Sequence, residues 1–116
     1  MLAKENRLRL AEDFRVTMKS GRKQSSQSLV LYLKRDSGLT QSRFGFIVAK
    51  TVGGAVTRNL VKRRLREIAR VALNSMPVGI DVVVRALPAA GVADWNKLCS
   101  DFEIALAKGI EAAVAQ

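Results

Sequence analysis

Histidine is absent from the 116 residues of this chain. There is therefore no imidazole to act as a base near neutral pH, and no His ligand for a metal. Cysteine occurs once, as Cys99. One thiol closes no disulfide within the chain and cannot make a zinc site, which fits a reducing compartment. Long apolar runs are missing too, since no stretch approaches the ~18 consecutive apolar residues of a membrane span. The opening residues Met1 to Arg7 turn polar at once, unlike a signal peptide. Repeats, linkers and low-complexity tracts are also lacking. These absences predict a soluble, cytoplasmic protein with no membrane partner, and residues 1–116 read as a single domain able to bury one core without cross-links.

Acidic residues are scarce where basic ones abound. Twenty Lys and Arg stand against ten Asp and Glu, a net charge of +10. Residues 1–70 hold 17 of the basic residues and five acids, whereas residues 71–116 hold three and five. A solubilising surface would mix the signs; segregated positive charge predicts a face that meets a polyanion. Hydrophobic residues make up 48% of the chain, too many for a disordered polycation. Membrane lipid is the weaker polyanion, because the basic helix described below has no broad aromatic or leucine face free to insert.

Catalytic groups are equally sparse. The acid pairs are Glu12-Asp13, at the start of a helix, and Asp101 with Glu103, expected on the solvated side of the last helix. Neither predicts the buried, pKa-shifted pairing that hydrolysis needs. The run Gly53-Gly54-Ala55-Val56-Thr57-Arg58 lacks the spacing of a phosphate-binding P-loop. The chain is expected to hold no catalytic residue, no metal and no cofactor of its own.

Periodicity supplies the scaffold. Leu10, Phe14 and Met18 recur every four residues before Ser20-Gly21, predicting a helix over 10–20. Residues 28–34 alternate as a strand, with Leu29, Leu31 and Leu33 on one face and Val30, Tyr32 and Lys34 on the other. Asp36 to Ser42 read as a loop. A second strand is expected over 43–50, with Phe44, Phe46 and Val48 toward the core and Gly45, Ile47 and Ala49 opposite. After Gly53-Gly54 a helix is expected from Thr57 to Leu73, then a buried strand over 80–86 closed by Pro88. Asp94 is a good N-cap for a last helix whose apolar face runs through Trp95, Leu98, Phe102, Ala105, Leu106, Ile110 and Val114. On that face Trp95 and Phe102 are expected as core anchors. An extra strand fits near Arg22–Gln27. The order predicts an α+β fold, with three helices packed on a small mixed sheet of about four strands.

The helix after Gly54 carries the most information. At 3.6 residues per turn, Val61, Leu65, Ile68 and Ala72 fall on one face, and Asn59, Arg63, Arg66 and Arg70 fall on the opposite one. Lys62 and Arg64 flank that row, and Arg58 sits at the first turn. Guanidinium groups are planar forks suited to phosphate and to stacking on bases. Glu67 alone offers them an acid within the helix. A merely soluble helix would interleave more acids.

These residues resemble a known family. Lys50-Thr-Val-Gly53-Gly-Ala55-Val56-Thr-Arg58-Asn59-Leu-Val-Lys62-Arg63-Arg64-Leu65-Arg66 is similar to the signature helix of the bacterial ribonuclease P protein component. Asn6-Arg7-Leu8, Glu12-Asp13-Phe14, Leu31-Tyr32 and Asp81 to Arg85 agree with it in order. The resemblance implies a two-layer α/β sandwich with a left-handed βαβ crossover. It also implies a protein subunit of a ribonucleoprotein whose catalytic RNA cuts the 5′ leader from precursor tRNA, with Mg2+ held by RNA. Arg58, Asn59, Lys62, Arg63 and Arg66 would contact the catalytic RNA, with Arg70 continuing their row, and Asn6 and Arg7 would add an N-terminal contact. Phe14, Met18, Tyr32 and Lys34 would line a cleft for the single-stranded leader, and one protein copy would serve each complex. Leu60 departs from the signature by replacing an arginine, with Arg64 expected to supply charge nearby; Met18 stands where a second aromatic is frequent.

Other classes stay open at this stage. A helix-turn-helix DNA binder would need a second helix just before the basic one, where this chain has a strand and two glycines. A basic ribosomal protein fits the charge equally well. A stand-alone nuclease would need the histidine and paired acids that are missing.

Overall fold

The computed structural model describes residues 2–36 and 38–115. Helix α1 (Ala11–Ser20) leads into strands β1 (Arg22–Ser25), β2 (Leu29–Arg35) and β3 (Arg43–Ile47). Helix α2 (Ala55–Ala72), strand β4 (Ile80–Ala86) and helix α3 (Trp95–Val114) follow, with short 3-10 turns at Lys4–Asn6, Lys50–Val52 and Pro88–Gly91. Met1 and Ser37, expected in the opening segment and in the loop after β2, lie outside the described residues. No described helix is long and apolar enough to cross a membrane.

The sheet runs in the order β1-β2-β4-β3. Strand β2 is antiparallel to β1 and β4, whereas β3 is parallel to β4. Parallel neighbours need a long crossover, and α2 provides it. The α+β class, the three helices and the four-stranded mixed sheet are as the sequence predicts.

The two central strands are apolar on both faces, and this decides where the helices lie. Leu29, Leu31 and Leu33 of β2 and Val82 and Val84 of β4 pack with the inner sides of α2 and α3. Those helices contribute Val61, Leu65, Ile68 and Ala69, and Leu98, Phe102 and Ala105. The Phe102 and Phe44 rings meet with centroids 6.0 Å apart. On the other face Val30, Tyr32 and Val83 gather with Leu8 beneath Phe14 and Met18 of α1. The sheet and the α2–α3 layer thus hold the main core, and α1 covers part of the opposite face.

Four expectations need correction. Strand β3 ends at Ile47, three residues early, because its last partner on β4 is Arg85 and the chain then turns through Lys50–Val52. Helix α2 starts at Ala55, two residues before Thr57, with Gly54 at its N-cap. Trp95 is no core anchor, being 41% exposed, and Val114 is exposed too. Both occupy terminal positions of α3, and Trp95 faces the groove between α2 and α3 rather than the sheet. Finally, Asp101 is buried rather than solvated: it accepts a hydrogen bond from Ser28 Oγ at 2.6 Å, and Lys97 Nζ lies 3.1 Å away.

Asp101 joins α3 to the residue that precedes β2, and it makes stability depend on pH. Burial pushes its carboxyl up, but the Ser28 hydrogen bond and the Lys97 ammonium outweigh that, so it ionises below its ordinary value. A carboxyl depressed in the folded state contributes stability above its unfolded pKa of about 3.9 and loses it as pH falls through the folded value. Urea unfolding from pH 6 down to pH 2 should therefore show a falling midpoint. Asp101→Asn should start lower at pH 6 and fall less steeply. Equal slopes for the two proteins would remove Asp101 from the acid transition.

Candidate nucleic-acid interface

The start of α2 is set by Gly53, whose φ of 155° is a conformation that side-chain-bearing residues rarely adopt. The Arg58 guanidinium returns to donate to the Gly53 carbonyl oxygen at 3.1 Å, which holds the first turn against the preceding loop. From there the inner face of α2 is locked into the core, and Asn59, Arg63, Arg66 and Arg70 stand exposed on the outer face. Arg58 and Lys62 are half-buried beside them, covering apolar surface with their stems.

The outer row is short of partners. Arg70 pairs with Glu67 at 2.6 Å, and that hydrogen bond lowers the glutamate pKa and raises the arginine's. Arg58, Lys62, Arg63 and Arg66 take part in no ion pair among the described residues. Leu60 is 38% exposed at the edge of the row. The charge expected from Arg64 is directed elsewhere, because its guanidinium donates to the Ala93 carbonyl oxygen at 3.3 Å and ties α2 to the loop before α3.

Strand register builds the second surface, on the face that α1 partly covers. Lys23, Tyr32, Val83 and Gly45 form one row across the sheet; Ser25, Val30, Arg85 and Ile47 form the next; Lys34, Asp81 and Arg43 form a third. Phe14 and Met18 pack over the first row. Gly45 makes this possible, since a Cβ there would overlap the Phe14 ring. Asp13 of α1 lies 3.5 Å from Arg43, which also donates two bonds of 2.7 and 2.8 Å to buried Asp81. The fork to Asp81 raises the Arg43 pKa and fixes its guanidinium, and the ion pair with Asp13 then ties α1 to the sheet.

Of the four expected cleft residues, Phe14, Met18 and Tyr32 come together in one apolar cluster. Tyr32 is only 9% exposed, so most of its ring is spent on packing. Lys34 stands outside that cluster, opposite Asp81. The open part of this face lies in the second row, where Arg85 is exposed on a central strand and Ile47 is half-buried, although Val30 of the same row is buried. The reading of 80–86 as a wholly buried strand missed it. Its signal was present, because alternation places Asp81, Val83 and Arg85 on one face.

The N-terminal candidates serve the fold first. Asn6 Nδ2 donates to the Ser42 carbonyl oxygen at 2.8 Å, and Arg7 donates to the Leu2 carbonyl oxygen from Nε at 2.9 Å and from Nη2 at 2.7 Å. A cavity of about 580 Å3 lies elsewhere, between α2 and α3. Its walls are mostly apolar (Val71, Met76, Trp95, Leu106), and its charged lining residues are Glu67 and Glu103, the wrong sign for a polyanion. In the same groove, burial raises the Cys99 pKa, with Glu103 adding to the effect, so the thiol stays protonated.

A basic helix beside a half-covered sheet is a geometry shared with known proteins. The family model for ribonuclease P matches residues 2–109. The chain belongs to the ribonuclease P protein family. Membership makes it a subunit of an endoribonuclease that acts on tRNA precursors. It is 49% identical to the ribonuclease P protein component of Arthrobacter sp. (strain FB24) over 106 residues, spanning 91% of this chain and 78% of that protein. Against the component from Kocuria rhizophila it is 42% identical over 110 residues, 95% of this chain and 96% of the other. Among solved structures, the RNase P protein of Staphylococcus aureus superposes with a TM-score of 0.82 at 28% identity, over 90% and 97% of the two chains. That of Thermotoga maritima superposes at 0.73 and 29% identity, over 83% and 90%.

The Phe14–Gly45 contact gives a direct check on how α1 is seated. Gly45→Ala should cost ~1–3 kcal/mol in urea unfolding, the usual range for overpacking. Adding Phe14→Leu should recover part of the loss, because the smaller side chain makes room. A double variant no more stable than Gly45→Ala alone would show that Phe14 does not fill this space.

Proposed function

We propose that this subunit docks by the outer face of α2 on the catalytic RNA of ribonuclease P and holds the single-stranded 5′ leader of precursor tRNA on the α1 side of the sheet. The observation that carries the reading is the row formed by Arg58, Lys62, Arg63 and Arg66: four cations without acid partners among the described residues, on a helix fixed from behind by the core. Like charges held together in the free protein repel, and a polyanion relieves that repulsion. Asn59 and Arg70 extend the same surface; Arg70 can exchange its exposed glutamate for phosphate.

The leader surface is the open second row. Arg85 of the second row and Lys23 of the first offer phosphate contacts, half-buried Ile47 offers apolar floor beside buried Val30, and the half-buried Phe14 and Met18 form the wall. The exposed edge of Tyr32 borders it, and Lys34 adds charge one row further along. Single strands are held by such mixtures of charge and aromatic or apolar surface. The protein binds and orients, while the RNA supplies the hydrolytic chemistry together with Mg2+. One protein copy works per complex, in the cytoplasm, with RNA rather than DNA as partner.

Assembly tests the first surface. Arg63→Ala combined with Arg66→Ala should weaken binding of the catalytic RNA at least tenfold while leaving the thermal melt unchanged, because both side chains are exposed. Unaltered RNA affinity would overturn the docking face. Substrate discrimination tests the second. Arg85→Ala should weaken holoenzyme binding of leader-bearing precursor, lower its salt slope by about 0.7, and leave mature tRNA unaffected. Equal losses for the two tRNAs would move the leader elsewhere.

A further inference from the structure

The residues between the N-terminus and α2 form a second, smaller pocket that borrows Phe14 from one surface above and Lys62 and Arg66 from the other, and adds residues that neither uses. Leu8 N donates to the Phe44 carbonyl oxygen at 2.9 Å, and Arg7 bridges Phe44 in parallel fashion, so residues 7–9 run along the outer edge of β3. Side chains on paired strands alternate together. Leu8 therefore shares the face of Gly45, toward α1, whereas Arg7 and Arg9 share the face of Phe44 and Phe46, toward α2. The result is a cavity of about 260 Å3 bordered by Arg7, Arg9, Phe14, Phe46, Lys62 and Arg66.

Its chemistry is uniform. Four cations line it, and no carboxylate does among the described lining residues. Arg7 is committed to the Leu2 carbonyl oxygen and acts as a wall. Arg9, Lys62 and Arg66 have no ion pair among the described residues. Phe46 is stacked on buried Phe44 with ring planes 9° apart and centroids at 6.3 Å, yet it is itself only half-buried. A ring held in place from behind with free surface in front is a stacking platform. Three free cations around it would repel one another unless an anion sat among them. Phosphate beside an aromatic ring, in a space the size of one residue of a nucleic acid, defines the occupant.

We infer that this pocket takes a single unpaired nucleotide of RNA, its base against Phe46 and its phosphate among Arg9, Lys62 and Arg66. The inference rests on the reading that α2 faces RNA, and it adds Arg9 and Phe46 to the contact set. The pocket reaches from Phe14 and Gly45 on the α1 side to Lys62 and Arg66 on α2, so either the catalytic RNA or the leader could supply that nucleotide.

Two binding measurements on the full chain separate the possibilities: affinity for the catalytic RNA alone, and affinity of the assembled holoenzyme for precursor against mature tRNA. Phe46→Leu, which keeps an apolar side chain and removes the ring, should weaken one of them roughly 5- to 100-fold. Arg9→Ala, an exposed site that leaves folding intact, should lower the salt slope of the same measurement by about 0.7 to 0.9. Loss for the catalytic RNA assigns the nucleotide to it; loss confined to leader-bearing precursor assigns it to the leader. Arg63→Ala, outside the pocket, is the control. If Arg63→Ala weakens binding of the catalytic RNA while Arg9→Ala changes neither measurement, the pocket is empty and the inference fails alone. If Arg63→Ala is also silent, the docking face fails and the inference with it. Should Phe46→Leu not fold, Arg9→Ala decides.

Discussion

The pairing of β2 with β4 is the constraint on which the rest depends. Seven residue pairs join these antiparallel strands, from Leu29 with Ala86 to Arg35 with Ile80. Leucine and valine occupy both faces of the pair. A sheet whose centre is apolar on both sides must be covered on both sides. The larger apolar face takes α2 and α3. The smaller takes α1, which is short and leaves one row of the sheet open. Had β2 alternated apolar with polar, α1 would have had nothing to sit on, and no half-covered face would exist.

Charge then follows from burial. Helix α2 spends Val61, Leu65, Ile68 and Ala69 on the core, so its cations have one direction left to point. Their separation from the acids is maintained by structure as well as by sequence. Asp81 and Asp13 are occupied by Arg43, Asp101 by Ser28 and Lys97, and Glu12 by Arg15. Glu103 faces the groove between α2 and α3. These acids are thus held away from the basic row, and among the described residues Glu67 is the acid that pairs with it, through Arg70. A rigid helix carrying uncompensated guanidinium groups spends little ordering entropy when a polyanion arrives, because the backbone that aims them is already fixed.

Much of this was legible in the sequence, and the failures share a cause. Period and phase located the helices and strands β2 and β3 and sorted the faces of β2, β3 and α2, because side-chain direction follows directly from backbone geometry; β4 showed as an apolar run, and β1 only as room for a further strand. Phase does not say how far along an element its neighbour extends. Trp95 has the phase of a core residue but stands at the first residue of α3, opposite the groove; Val114 does the same at the other end. Strand β3 ends where its partner β4 stops pairing, which no local pattern records. Asp101 looks like surface in a helical plot and is buried by Ser28, 73 residues away. At the site, the outer row of α2 was fully readable. The cleft was not, since alternation puts Val30, Tyr32 and Arg85 on one face but does not say that the first two are buried beneath their neighbours and Arg85 is exposed.

Strand β3 is where the two surfaces proposed to face RNA meet, and its own residues explain why they can. It is an edge strand, the kind that invites unwanted pairing unless something covers it. Residues 7–9 supply that cover through the Leu8–Phe44 hydrogen bond, with Asn6 fastened to Ser42 behind them. Alternation then gives the strand two different jobs. Gly45 faces α1 and lets Phe14 close on the sheet, whereas Phe44 and Phe46 face α2 and build its aromatic floor. Because Leu8 and Arg9 inherit the same alternation from the strand they cover, a basic residue is delivered to the α2 side by the act of closing the edge. The device that covers the edge of the sheet is therefore also the one that joins the proposed leader surface to the proposed docking helix.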